Sequence, residues 1–180
     1  SIGLEAAKYY SPLDLNALGV TFLSSSTLAE ALQRMYRYEF VLNSSLDFTI
    51  VETEDRVDFT CEEPAVDGEA KAIIEDIRTS VVLDLCRTGL THGLDPVVVG
   101  FTCPEPEGTG DHFGLFRCPL VFGQDQSRIS FKLADAQRPF TNAGRERAIA
   151  NDHILDSMLK GLSRSDLITR VKRAIIDALP

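Results

Sequence analysis

The chain has no tryptophan and only two methionines, three histidines and four cysteines in 180 residues. Each scarcity excludes something. Cys61, Cys86, Cys103 and Cys118 form no C-x-x-C pair, which removes a zinc ribbon or a thioredoxin motif. Scattered in this way they read as reduced core thiols, and the expected compartment is the cytoplasm. His92, His112 and His153 make no H-x-x-x-H or H-E-x-x-H pattern, so a histidine metal site lacks its first two ligands. Twelve glycines and eight prolines are too few for a collagen-like or low-complexity chain. No apolar run approaches the ~20 residues of a membrane span. A basic-then-apolar leader is also missing, so neither secretion nor a membrane partner is expected.

Basic residues are short as well. Eighteen Lys and Arg face 27 Asp and Glu, a formal net charge of −9. A free-standing nucleic-acid binder needs a cationic footprint to displace counterions from phosphates, and this balance is wrong for one. The deficit is uneven. Residues 1–136 hold 10 basic and 22 acidic side chains, whereas residues 137–180 hold 8 basic and 5 acidic.

What is present suits an ordinary soluble domain: 44% of the residues are hydrophobic and 25% charged. Thr27 with Glu30 reads as the capping box of a helix carrying Leu28, Leu32, Met35 and Leu42, ended by Asn43-Ser44-Ser45. Leu46, Phe48 and Ile50, then Val57, Phe59 and Cys61, alternate with polar residues around a polar turn. They predict an antiparallel hairpin, stopped by Glu63-Pro64. Residues 68–88 predict a long helix, with apolar residues from Ala70 to Cys86 mostly at steps of three and four. Short strands follow at Val97–Phe101, Leu120–Phe122 and Ile129–Phe131, with one helical turn between Asp111 and Arg117. Two helices close the chain, split at Gly161 and Ser163 and resumed from Ser165. The expected fold is α+β: an antiparallel sheet of short strands with helices on one face, plus two C-terminal helices. The expected division is a core over residues 1–140 and a helical part over 141–180.

Catalytic chemistry finds little footing. Gly108-Thr109-Gly110 lacks the G-K-[ST] ending of a phosphate loop, and no G-x-S-x-G elbow exists. No catalytic residue, metal or cofactor is expected. One enzymatic alternative stays open: His112 with Asp111 or Glu105 in a loop. Tyr36, Arg37, Phe48, Phe59, Phe101 and Phe131 are the candidate ligand contacts, aromatics between sheet and helices with an arginine at the rim. The same pattern also describes plain core, with Arg34 and Arg37 snorkelling at the surface. The apolar stripes of residues 142–179 exceed what one small sheet must cover. Ile154, Leu155, Met158, Leu159 and Leu162 are therefore candidates for a homodimer contact, with packing inside one chain as the competing expectation.

Longer motifs carry a family likeness. Val99 to Pro106 reads V-G-F-T-C-P-E-P, His112 to Gly123 reads H-F-G-L-F-R-C-P-L-V-F-G, and S-F-K-L and R-P-F follow by Phe140. Upstream, Leu18 to Tyr38 reads L-G-V-T-F-L-S-S-S-T-L-A-E-A-L-Q-R-M-Y-R-Y. In order and spacing the chain resembles the N-terminal effector-binding region of AraC-type bacterial transcription regulators, in the arabinose-binding-like branch. Members of that branch often carry His where Cys103 stands. The resemblance implies a regulatory domain with a small-molecule effector and a homodimer as partners. It also implies that DNA is reached only through a domain of two helix-turn-helix units, expected after Pro180 and absent from this chain. A ligand-free protein-interaction module is the remaining alternative, and it would have no cavity above water size.

Overall fold

The computed structural model describes residues 1–42, 47–62, 68–90 and 93–177. The expected stops at Asn43-Ser44-Ser45 and Glu63-Pro64, and His92, lie outside the described residues. Five strands make one sheet: β1 (Asp47–Glu52), β2 (Arg56–Glu62), β3 (Val98–Gly100), β4 (Leu120–Val121) and β5 (Ser127–Lys132), in the order β1-β2-β5-β3-β4. The hairpin is antiparallel with Phe48 opposite Cys61 and Ile50 opposite Phe59. β5 pairs antiparallel with both β2 and β3. The departure from the expected antiparallel sheet is β4, which runs parallel to β3. Its two residues follow α6 (Gly110–Phe116), a crossover that returns the chain to the same end of the sheet.

Alternation gives the sheet two unlike faces. Phe48, Val57, Phe59, Cys61, Ile129 and Phe131 are buried in the main core. They meet α5 (Glu69–Gly89) through Val82, Leu83, Leu85 and Cys86, and α3 (Leu28–Arg37) through Leu28, Ala31, Leu32 and Met35. Thr27 caps α3, its hydroxyl accepting from the Glu30 amide at 3.2 Å. The Glu30 carboxylate reaches one residue further back than a capping box requires, accepting from the Ser26 amide at 2.7 Å. Burial works to raise the pKa of Glu30, but the Ser26 bonds and the Arg34 guanidinium outweigh it and hold that carboxyl below its ordinary range. Tyr38, fully buried, ends α3 before the short α4 (Glu39–Leu42).

The N-terminal region folds as α1 (Ile2–Ala7), a 3-10 turn (Pro12–Leu15) and α2 (Asn16–Leu23). Ser11 and Asp14 form the capping box of that turn. Gly19 lets α2 lie against it: a Cβ there would stand 1.9 Å from the Pro12 carbonyl oxygen. A short α7 (Leu133–Ala136) follows β5. The two expected C-terminal helices are one. α8 runs from Arg145 to Asp177 without interruption, through Gly161 and Ser163. A glycine inside a helix costs about 1 kcal/mol relative to alanine, too little to break a helix of 33 residues.

Candidate functional site

Among the described residues, α8 reaches the body mainly through α2, α3 and α4. Leu155 is fully buried against Leu18 and Tyr38, with Leu159 packed beside them. Polar pairs surround this small cluster. Arg34 sets its guanidinium on Asp152, with Nε 3.2 Å from Oδ1 and Nη2 3.1 Å from Oδ2, while Nη1 donates to Ser25 Oγ at 2.9 Å. Arg37 reaches Asp156 at 3.0 Å and lies over the Tyr38 ring. The Tyr38 hydroxyl donates to Asp156 Oδ1 at 3.0 Å. Burial, then this hydrogen bond, pushes the Tyr38 pKa up to about 12.

Between this attachment and the sheet lies an open groove of about 440 Å³. Its walls come mainly from five elements. α5 presents Ile74, Ile77 and Val81; α2 and α3 present Leu18 and Met35; β1 presents Phe48; and α8 presents Leu155 and Met158. Arg78 and Asp14 supply the charged groups of the lining, and Tyr10 and Asn16 add polar groups. Arg78 Nη2 also donates to Ser127 Oγ at 2.9 Å. The site is a mostly aliphatic trough within the size range of small-molecule pockets.

Of the six candidate ligand contacts, Phe48 alone lines this groove. Phe59 stands behind it, ring centroids 4.9 Å apart, and Phe131 is fully buried. Phe101 belongs to a separate aromatic group, stacked on Phe122 and edge-on to Phe116. Tyr36 is half exposed, and Arg37 is engaged with α8. The strand aromatics fill the space between sheet and α5, so the open volume falls beyond them, where α5 faces α2 and α8. Ile74, Ile77 and Val81 were legible only as part of a helix stripe. Their signal was the breadth of the apolar positions on α5, wider than one buried face needs.

The five candidates on α8 divide. Leu155 and Leu159 face the body, whereas Ile154, Met158 and Leu162 are exposed, as is Ile149 one turn earlier. His112 does not sit in an open loop as expected. It is buried on α6 with Nε2 3.0 Å from Asp76 Oδ1, while Asp111 and Glu105 are exposed. Glu75, beside Asp76, is also buried and accepts from the Thr102 and Cys103 amides at 2.7 and 3.2 Å. The pair therefore ties α5 to α6 and to the end of β3. Among the described residues no cluster of His, Cys, Asp or Glu is arranged to hold a metal ion, and no helix is long and apolar enough to cross a membrane.

Residues 1–140 match a family described as the arabinose-binding domain of AraC transcription regulator, N-terminal. The fold is similar to the crystal structure of the transcriptional regulator CdpR from Pseudomonas aeruginosa. The TM-score is 0.74 at 18% identity, over 99% of this chain. The chain spans 60% of the length of that regulator. No curated protein matches the sequence.

Proposed function

Because the chain belongs to the AraC-type regulator family, through its N-terminal arabinose-binding domain, we propose that it senses a small effector in the groove and reports it through α8. One observation carries this reading: Leu155 and Met158 of α8 are wall residues of the same groove that α5 lines. A ligand filling it contacts the helix that would carry the signal onward. Coupling requires that the ligand bind two arrangements of α8 unequally, and couplings of this kind amount to about 1–3 kcal/mol. The lining selects the ligand class. Aliphatic walls with Phe48 as their one phenylalanine offer little for sugar stacking and few inward polar groups, so an apolar or amphiphilic molecule fits best. A pure interaction module, the ligand-free alternative, has no use for a trough of this size.

The exposed face of α8, with Ile154, Met158 and Leu162, is the surface proposed for a second copy of the chain. In the full regulator such a dimer would set the spacing of two DNA-binding domains.

The effector reading is tested with 1-anilinonaphthalene-8-sulfonate as the groove probe. Saturable one-to-one fluorescence is expected, with slowed amide exchange over residues 149–162. Ile77→Trp, which fills the groove, should remove both effects. Binding that survives Ile77→Trp, or binding that leaves α8 exchange unchanged, refutes it. For the dimer, Ile154→Glu with Leu162→Glu, neither of which lines the groove, should convert a dimeric mass in light scattering to a monomeric one. A mass unchanged by the double variant rules out this face. Leu155 is unsuited to that test because it faces the body.

A further inference from the structure

The second face of the sheet carries a site of opposite character. Strand pairing puts Thr60 opposite Arg128 and Asp58 opposite Ser130, on the rows that alternate with the buried Phe59, Ile129 and Phe131. Next to them, the turn from β4 to β5 brings in Gln124, Asp125 and Gln126. Together with Thr60, Glu62 and Arg128 they line a concavity of about 380 Å³. Gly100, the β3 partner of Arg128, adds no side chain to that row.

Arg128 is the unusual member. Its Nε is buried and has no hydrogen-bond partner among the described residues. The near carboxylate, Asp58, already holds Arg56 Nε at 3.3 Å and stands 4.0 Å from Arg128 Nη1. Asp58 Oδ1 and Ser130 Oγ, on the adjacent cross-strand pair, are likewise buried and unpaired. A buried guanidinium edge without an acceptor is costly, and such an edge in a folded protein calls for an explanation. That unpartnered nitrogen belongs to a side chain lining the concavity.

We propose that this concavity is a binding site for a small zwitterion of the α-amino-acid class. The planar fork of Arg128 matches a carboxylate bidentately. Glu62 and Asp125, at the rim, supply the negative charge an ammonium group needs, and Gln124, Gln126 and Thr60 supply neutral donors and acceptors. A bare anion meets the two rim carboxylates and is repelled. A bare cation meets Arg128. Only a molecule carrying both charges a few bonds apart satisfies both ends. The aliphatic groove takes only Phe48 of β1 from the sheet and shares no lining residue with this site, so the two stand or fall separately.

Calorimetric titration of the whole chain with L-alanine, L-glutamate and L-lysine tests it, with acetate and ethylamine as the two half-ligands. At least one amino acid should bind one-to-one, with both half-ligands weaker by about tenfold or more, as loss of a charged hydrogen bond implies. Arg128→Gln should weaken that amino acid by about tenfold or more, and Asp125→Asn, on an exposed turn, by several-fold. Amide shifts in NMR should centre on Thr60, Gln124 and Gln126, and Ile77→Trp should bind as the parent does. If Arg128→Gln fails to fold, Asp125→Asn and the amide shifts decide. The proposal is overturned if no amino acid binds at millimolar concentration, if acetate binds as well, or if binding is indifferent to both substitutions.

Discussion

Helices α5 and α8 are the two long helices of the molecule, and different forces hold them. α5 sends Val82, Leu83, Leu85 and Cys86 into a core shared with the inner sheet face and α3. Its polar anchors, Glu75 and Asp76, are buried and bonded to main-chain amides and to His112. Among the described residues, α8 rests on a small cluster whose fully buried members are Leu18, Tyr38 and Leu155, with Ala148 also buried, and is fastened by ion pairs and the Tyr38 hydrogen bond at the edge of solvent. Apolar burial is non-directional and hard to undo in part. A few ion pairs around a small apolar contact are separable, because water and salt can replace them at modest cost. The contrast teaches which helix is scaffold and which can move. A groove between them puts a ligand against both.

The sharpest way to break the comparison is to damage each side in turn. Phe131→Ala empties a fully buried site on the sheet and should cost about 3–5 kcal/mol, so urea unfolding of the whole domain shifts to lower denaturant. Arg34→Met removes the bidentate partner of Asp152 while keeping length and apolar stem. Losing a charge-assisted pair in a half-buried setting should cost about 2 kcal/mol. That loss should appear first as faster amide exchange in α8, with the sheet amides still protected. If Arg34→Met instead loosened sheet and α8 equally, the two helices would belong to one cooperative unit and the contrast would fail.

Much of this was legible in the residues because local pattern and global fold agree. Phe48 to Ile50 and Val57 to Cys61 alternate as a half-buried hairpin must, and Ala70 to Cys86 repeats as a helix must. Reading failed where tertiary context decides. Gly161 looks like a stop, yet α8 runs through it. β4 has two residues, too few for periodicity to reveal direction. α2 mixes the poor helix formers Asn16, Gly19, Val20 and Thr21 with Ala17, Leu18 and Leu23, a composition without a clear helical signal, and it packs against the 3-10 turn. The groove escaped for a related reason. Aromatics on alternating strand positions are the natural candidates for a pocket, but they are also the best core fillers. Aliphatic residues of α5 at the margin of that core line the space that is left. The buried Arg128 Nε without an acceptor lies beyond any one-dimensional pattern, since its neighbours Thr60, Asp58 and Gly100 come from other strands.

The finest test of the separable attachment is pH. Tyr38 OH donates to Asp156, and in the folded protein its pKa stands at about 12, above the ~10 of a free tyrosine. The folded state therefore holds the phenolic proton more tightly than the unfolded state does. The stability it contributes is fully present below pH ~10 and is lost as pH rises through ~12. Ionised, the phenolate oxygen would face the Asp156 carboxylate 3.0 Å away, like charge against like. Tyr38→Phe keeps the ring in its contact with Leu18 and Leu155 and deletes the proton. Its cost near pH 9 should be about 1 kcal/mol, the worth of one hydrogen bond, read as the difference in urea stability from the parent. Across the alkaline window that difference should shrink through zero and reverse sign, because a pKa raised this far costs the parent more on ionisation than one hydrogen bond gave it, and the variant does not titrate. Every other alkaline titration is common to both proteins and cancels. A difference that stays constant through pH 12 would mean that the hydroxyl does not help hold α8, leaving Leu155 and the two arginines to do so.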